Sequence, residues 1–246
     1  MLEVRGLTIR SDSAALVDDL SLSLPGTGIT ALIGPSGCGK SSVLKWLAGI
    51  LPETLHAEGR MTLEGRAVTS PCPDISYQPQ SDALFPWLTV AENAVLGLRV
   101  RGQSRREARI RAAPFFRLFG LHGTEEQFPA ELSGGMRQRA AFLRTIVQDS
   151  RYVLLDEPFS ALDAVTRLHM QDWLVARLDE RPRGVLLVTH DLHEATGLAD
   201  RVLVMAAGPG RLVADIPVPL HRKERSEAAL APLRDTLKAL LLEEAS

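Results

Sequence analysis

The sequence predicts an α/β fold with an all-helical insertion, and three observations support this. A glycine-rich segment lies between an apolar strand at residues 29–33 and an apolar helix at residues 42–49. Two further runs, residues 152–156 and 185–189, are apolar up to their last residue, which is typical of parallel strands covered on both faces. Residues 81–149 carry helical periodicity and no strand pattern.

The N-terminal segment is predicted to be mostly β-structure. Residues 2–9 and 20–24 alternate apolar and polar side chains, as strands with one buried face do. A turn of composition Pro-Gly-Thr-Gly follows at residues 25–28, and residues 61–64 form another short alternating strand. These strands flank the glycine-rich segment.

The glycine-rich segment has the spacing G-x-x-x-x-G-K-S and predicts a nucleoside triphosphate site. Its residues, with the serine that follows, are Gly34, Pro35, Ser36, Gly37, Cys38, Gly39, Lys40, Ser41 and Ser42. Glycines let consecutive N–H groups point into one concavity, and the helix N-terminus adds partial positive charge, so polyphosphate binds there. Lys40 is expected to reach the β- and γ-phosphates, and the Ser41 hydroxyl to ligate Mg²⁺.

The remaining elements are predicted from periodicity. Helices are expected at residues 90–98, 104–119, 134–147 and 165–178 and at Leu192–Leu198, and a hairpin around residues 208–210. An apolar stripe predicts a C-terminal helix over residues 226–246, packed on the domain, with a dimer contact as the alternative. The chain is interpreted as one domain, residues 1–246. Residues 1–80 and 150–220 form its α/β core, and residues 81–149 its helical subdomain.

Composition limits the classes of function. The 246 residues include 28 basic and 30 acidic side chains, a formal charge of −2, which gives no electrostatic signature of nucleic-acid binding. Two cysteines cannot define a disulfide framework, so a reducing compartment is expected. We find no signal-peptide pattern at the N-terminus and no apolar run of about 20 residues. A membrane role would therefore require a partner.

Three further segments carry chemistry. Residues 133–135, Ser-Gly-Gly, open a predicted helix and make a second anion-binding helix N-terminus. Asp156 and Glu157 end a buried strand, which suits a Mg²⁺ partner and a water-activating base. His190 follows another buried strand, where open α/β sheets place ligands.

In this order, these segments strongly resemble the ATP-binding cassette (ABC) ATPase family, and the resemblance covers about residues 2–214. It implies a P-loop NTPase (RecA-like) core, an N-terminal antiparallel β-subdomain and an inserted α-helical subdomain. It also implies that two copies of the chain sandwich two ATP molecules and hydrolyse them with Mg²⁺. Such a dimer would be closed by bound ATP and released by hydrolysis.

The resemblance assigns a role to each matching position. Glu157 is the general base, and Gln80 and His190 sense the γ-phosphate. The implied metal-binding residues are Ser41, Gln80 and Asp156. Beyond the glycine-rich loop, the implied nucleotide contacts, made in trans across the dimer, are Ser133, Gly134, Gly135 and Asp163.

The sequence departs from the family pattern at three places. Met136 replaces a common glutamine, and Pro79 lies where an aromatic residue often precedes the loop glutamine. The family also usually stacks adenine on an aromatic residue after the first strand, and none lies between Val4 and Leu20. We hypothesise that the guanidinium of Arg10 stacks on the base instead.

A single cassette without a membrane span resembles the ATPase subunit of a bacterial importer. Residues 85–90 and 190–195 are similar to cassettes that serve nitrate, sulfonate or taurine, and thiamine, and the loop at residues 51–59 is similar to thiamine-uptake cassettes. The implied partners are a second copy, transmembrane permease subunits and a solute-binding protein, at the cytoplasmic face of the inner membrane. No nucleic acid is expected. The alternatives are an exporter or lipid-handling subunit, or a non-transport ABC ATPase.

Two surface segments in the helical subdomain remain open to two interpretations. Residues 85–90 either pack this subdomain or form a groove for a short permease helix. The basic run at residues 99–111 is interpreted as a solvated helix face, with contact to acidic loops or anionic lipid as the alternative.

Overall fold

A computed structural model describes residues 1–244 of the chain. The strands are β1 (Leu2–Arg10), β2 (Ala15–Leu24), β3 (Gly28–Ile33), β4 (His56–Leu63), β5 (Arg66–Ala67), β6 (Ile75–Gln78), β7 (Tyr152–Asp156), β8 (Gly184–Val188), β9 (Arg201–Met205) and β10 (Leu212–Pro217). The α-helices are α1 (Lys40–Ala48), α2 (Val90–Val100), α3 (Arg105–Leu118), α4 (Gly134–Ile146), α5 (Ala164–Glu180), α6 (Leu192–Leu198) and α7 (Glu227–Glu243).

The strands form two sheets. The first has the order β2-β1-β4-β5, and its neighbours are antiparallel. The second has the order β10-β9-β3-β8-β7-β6, in which all neighbours are parallel except β9 and β10. The predicted α/β class with an N-terminal antiparallel sheet is therefore confirmed.

The central strands of the parallel sheet are buried on both faces, and most of their side chains are apolar. On β3, Ile29, Ala31 and Ile33 face a core shared with α2 to α6. Leu32 faces the opposite core, which contains α1 and the antiparallel sheet. Successive side chains of a strand point to opposite faces, so the sheet separates two cores and holds its carboxyl edge rigidly between them.

Helices α2, α3 and α4 form the helical insertion, and the described chain has no strand between β6 and β7. Capping boxes start two of them: Thr89 with Glu92 at α2, and Ser104 with Glu107 at α3. An aromatic cluster joins the insertion to α5, where the rings of Phe119 and Trp173 lie 4.8 Å apart. The basic run is mostly engaged within the chain, as in the Arg105–Glu92 and Arg109–Glu126 ion pairs.

The starts of two strands differ by several residues from the sequence-based expectation, and one predicted helix extends past the described residues. Strand β2 begins five residues before the predicted start, because Ala15 and Val17 pair with the end of β1. Strand β4 begins at His56, inside the segment expected to be a loop, because His56 pairs with Arg10. Helix α7 ends at Glu243, and residues 245 and 246 of the predicted C-terminal helix lie outside the described residues.

Candidate functional site

The carboxyl edge of the parallel sheet brings together segments that are distant in sequence. The glycine-rich loop follows β3, Glu157 follows β7 and His190 follows β8, and these three strands are adjacent. Gln80 follows β6, the next strand along. Open α/β sheets bind ligands at this edge, because the loops after parallel strands converge there.

A cavity of about 330 Å³ opens at this edge above the glycine-rich loop. Its lining residues are Leu16, Ser36, Gly37, Gly39, Lys40, Ser41, Ser42, Gln80, Glu157 and His190. Gly37 and Gly39 have φ angles of 83° and 94°, in the left-handed region that glycine adopts without strain. Helix α1 then begins at Lys40, so its free N–H groups can point into the cavity.

The predicted loop residues that do not line the cavity are Gly34, Pro35 and Cys38, and they contact the Lys40 side chain. The Lys40 ammonium donates to the carbonyl oxygens of Gly34 and Pro35 at 2.9 and 2.8 Å. The same ammonium lies 3.6 Å from the Cys38 Sγ, and Cys38 is buried. The loop therefore holds the cation beside the cavity through its own carbonyl groups.

The turn between β9 and β10 supports the back of the glycine-rich loop. Gly210 makes two backbone hydrogen bonds to β2, both of 2.9 Å. Its N–H donates to the carbonyl oxygen of Leu16, and its carbonyl oxygen accepts from the N–H of Asp18. A side chain at Gly210 would collide with the backbone oxygen of Cys38. One at Gly34 would lie 2.6 Å from the Met205 oxygen. At both positions the atom nearest to the added Cβ is a backbone oxygen, so a change of side-chain rotamer cannot relieve the collision.

A Gly210→Ala variant is therefore expected to displace the glycine-rich loop. The added methyl group should cost about 1–3 kcal/mol of stability, which is typical of overpacking, and should weaken ATP binding several-fold. Thermal unfolding and calorimetric ATP titration measure the two effects. Gly197→Ala on α6 is the control, because a Cβ there meets nothing within 4 Å. Unchanged ATP affinity in the Gly210 variant would show that the turn does not position the loop.

Three polar side chains meet on the side of the cavity opposite the loop. The Gln80 amide donates to Glu157 Oε2 at 3.0 Å, and His190 Nδ1 lies 3.3 Å from the same oxygen. Glu157 has a φ of 47°, which non-glycine residues rarely adopt, and its N–H is anchored to the Val188 oxygen at 3.0 Å. The fixed backbone aims this carboxylate into the cavity, where it could accept a proton from water.

A second carboxylate lies deeper, below the start of α1. Asp156 is only 2% exposed, and the Ser41 hydroxyl donates to its Oδ1 at 3.1 Å. The Tyr77 hydroxyl donates to its Oδ2 at 3.2 Å. Burial raises the pKa of Asp156, and the two hydroxyl donors partly offset that rise by favouring the charged form.

The donors around Asp156 fit a magnesium ion. The Ser41 hydroxyl and the Asp156 carboxylate both offer oxygen, which Mg²⁺ prefers. Gln80, the third predicted ligand, lines the cavity with its amide nitrogen on Glu157. Mg²⁺ usually binds through one or two protein groups together with substrate phosphates, which fits a pair of donors beside a phosphate loop.

The residues predicted to act in trans do not line this cavity. Ser133 caps α4, where its hydroxyl accepts from the Met136 N–H at 3.3 Å, and Gly134 and Gly135 form the first turn. A Cβ on Gly135 would meet nothing within 4 Å, so this helix start is open. Asp163 caps α5 by accepting from the Thr166 N–H at 3.0 Å, and this hydrogen bond lowers the pKa of its carboxyl group.

Sequence reasoning missed three residues that shape the site. Leu16 lines the cavity, whereas Arg10, the hypothesised base-stacking residue, is exposed at the end of β1. Gly210 supports the loop, and Tyr77 bonds to Asp156. The alternation at residues 20–24 is interrupted at Asp18 and Asp19, so it does not extend back to Leu16. Local sequence gives no signal for the other two contacts.

Comparison with known proteins connects this geometry to characterised sequences. The profile of a family described as "ABC transporter" matches residues 17–160. A protein of Rhizobium johnstonii named taurine import ATP-binding protein TauB is 41% identical over 234 residues, which are 92% of this chain and 88% of that protein. A protein of Halalkalibacterium halodurans named formylaminopyrimidine import ATP-binding protein ThiZ is 39% identical over 245 residues, 95% of this chain and 93% of that protein.

A solved structure is similar in fold. It is described as a dimeric, post-hydrolysis state of the ATP-binding cassette MJ0796 bound to ADP and Pi. The TM-score is 0.77, with 24% sequence identity, and the match covers 90% of this chain and all of that one. Within residues 1–244, no helix is both long and apolar enough to cross a membrane.

Proposed function

The chain belongs to the ABC transporter family, and from this premise we propose that it is the ATP-hydrolysing subunit of a bacterial importer for a small solute. One observation carries the proposal: Lys40 and Ser41 of the phosphate loop share a single cavity with Gln80, Glu157 and His190. The relatives named as import ATP-binding proteins support the direction of transport.

We assign the chemistry to residues of the cavity. Lys40 and the N-terminus of α1 bind the phosphates, and Ser41, with Asp156 just beneath the cavity, would hold the Mg²⁺ of Mg·ATP. Bound Mg²⁺ would neutralise charge on the β- and γ-phosphates. Glu157 accepts a proton from water as the water oxygen attacks the γ-phosphorus, and the bond to ADP breaks. Gln80 and His190, both near Glu157 Oε2, orient that carboxylate and sense the γ-phosphate.

We propose that the complete site needs a second copy of the chain. The open helix start at Ser133 and Gly135 offers free N–H groups to an anion but lies away from the cavity of its own chain. In a head-to-tail pair it would contact the γ-phosphate held by the other copy, with Asp163 crossing between the two. The similar MJ0796 structure is dimeric and bound to nucleotide, which supports this arrangement.

We propose that permease subunits hold the chain at the cytoplasmic face of the inner membrane, together with a solute-binding protein on the other side. An exposed aromatic pair supports the permease contact. Trp87 is 69% exposed and its ring lies 5.4 Å from that of Phe85, shortly after Gln80 in sequence. A large apolar surface next to a γ-phosphate sensor would couple a partner's movement to the site.

Affinity purification from detergent-solubilised native membranes tests this function. Recovery of a polytopic permease and a solute receptor would establish import, and the receptor would identify the solute. A permease without a receptor would favour export or lipid movement. Recovery of soluble partners or nucleic acid alone would overturn the transport assignment.

The same purification tests the aromatic pair directly. We expect Trp87→Ala to reduce permease recovery at least tenfold, because exposed tryptophans at interfaces are often dominant contacts. Val100→Ala is the control: Val100 is 81% exposed but lies at the far end of α2. Equal recovery with the Trp87 variant and the wild type would place the permease contact elsewhere.

A further inference from the structure

The chain's two tyrosines lie on adjacent strands of the parallel sheet, and one of them contacts the deep carboxylate. Tyr77 is paired in register with Leu154, so its side chain lies on the same face of the sheet as Leu154 and Asp156. From there the ring extends along β7 by two residues, and the hydroxyl reaches Asp156 Oδ2 at 3.2 Å.

Asp156 is thereby held by one hydroxyl on each oxygen. Ser41 donates to Oδ1 at 3.1 Å from the start of α1, and Tyr77 donates to Oδ2 from β6. The two donors come from opposite sides of the carboxylate and prevent it from rotating about its terminal bond. Because Asp156 is 2% exposed, water is a poor substitute for either donor.

We infer that Tyr77 is a positioning residue, whose hydroxyl fixes the Asp156 carboxylate so that Oδ1 faces Ser41 and the metal of bound Mg·ATP. This inference rests on the proposed function and adds a residue to it. Tyr77 does not line the cavity, so it acts on the metal only through Asp156. Groups that orient a metal ligand in this way commonly contribute tenfold to a hundredfold in metal affinity.

The ring and the hydroxyl of Tyr77 make separate contributions. The ring of Tyr77 packs against the core that contains α1, which is a structural role. Within residues 1–244, the hydroxyl hydrogen-bonds to Asp156 alone. A Tyr77→Phe variant keeps the ring and removes only the hydroxyl, so the fold and the phosphate loop should be retained while the carboxylate is freed to rotate.

The effect of Mg²⁺ on nucleotide affinity tests the inference. Calorimetry would measure the affinity of the non-hydrolysable analogue AMP-PNP twice, in EDTA and in saturating Mg²⁺. The ratio of the two affinities reports how much more tightly Mg²⁺ binds at the site than to free nucleotide. For Tyr77→Phe we expect this ratio to fall roughly tenfold, with the affinity in EDTA unchanged within about twofold.

The other tyrosine supplies a matched control. Tyr152 begins β7, whereas Asp156 ends it, and the buried Tyr152 hydroxyl has no hydrogen-bond partner in the part of the chain that the structure describes. Tyr152→Phe removes the same atom from the same sheet and should leave the Mg²⁺ ratio unchanged. Thermal unfolding of both variants confirms that they are folded.

Three outcomes would overturn the inference. An unchanged ratio in Tyr77→Phe would show that its hydroxyl does not position the metal carboxylate. An equal loss of affinity in EDTA and in Mg²⁺ would assign Tyr77 a purely structural role. Failure of the wild-type protein to bind AMP-PNP in either condition would refute the proposed function itself, and the role of Tyr77 would fall with it.

Discussion

Replacing Glu157 with glutamine is expected to reduce ATP hydrolysis by about 10²- to 10⁴-fold, the contribution typical of a positioned base, while ATP binding is retained. An amide cannot accept a proton from water, but it has nearly the shape of the carboxylate. Its oxygen can still accept from Gln80, which donates at 3.0 Å in the structure. The unusual backbone at this position, with a φ of 47°, is unaffected by the change.

The same variant should also accumulate as an ATP-bound dimer. Hydrolysis is the step that releases the two copies in the proposed cycle, so its loss leaves bound ATP to hold them together. Phosphate release and size-exclusion chromatography with and without ATP measure the two effects. Glu53→Gln, a change at an exposed carboxylate outside the cavity, is the control. Hydrolysis at the wild-type rate in the Glu157 variant would remove this residue from the role of base.

Replacing Lys40 with methionine is expected to weaken ATP binding by about tenfold to a hundredfold, which corresponds to the loss of a charge-assisted hydrogen bond. Lys40 is 9% exposed, and its ammonium lies against the Gly34 and Pro35 carbonyls. Methionine fills a similar volume without charge, so the loop should keep its packing. The bound phosphates would no longer be neutralised by the Lys40 ammonium. Turnover should fall at least as much as binding.

A conservative variant distinguishes charge from geometry at this position. Lys40→Arg keeps the positive charge, but its planar fork needs more room than a single ammonium. We expect an AMP-PNP affinity between those of the wild type and Lys40→Met, measured by calorimetry. Wild-type affinity in the methionine variant would mean that backbone N–H groups alone bind the phosphates.

The fold could be predicted where sequence patterns are local. Residues 152–156 and 185–189 are apolar except for the last residue of each run, and both proved to be buried parallel strands, β7 and β8. The boundaries of β2 and β4 could not be predicted, because pairing with β1 decides where these strands begin. Periodicity reports which face of a segment is buried but not which strand lies beside it.

In the candidate site as well, local patterns predict some residues and miss others. The phosphate loop is contiguous, so its spacing alone predicts its residues. The convergence of Gln80, Glu157 and His190 depends on the order of the strands in the sheet. The strand-end positions of Glu157 and His190 indicated both residues from the sequence, whereas only the family resemblance indicated Gln80. The contacts of Gly210 and Tyr77 cross between distant segments and leave no local pattern.

The position of β3 in the sheet has a consequence for the synthesis of the protein. This strand carries the phosphate loop, yet both of its hydrogen-bonded neighbours, β8 and β9, are made of residues 184–205. On the ribosome, the loop therefore emerges early while both edges of its strand stay unpaired until those late residues appear. Unpaired strand edges invite aggregation, and pairing between distant segments is slow. We therefore expect the nascent chain to be prone to aggregation until residues 184–205 emerge and the centre of the sheet can close.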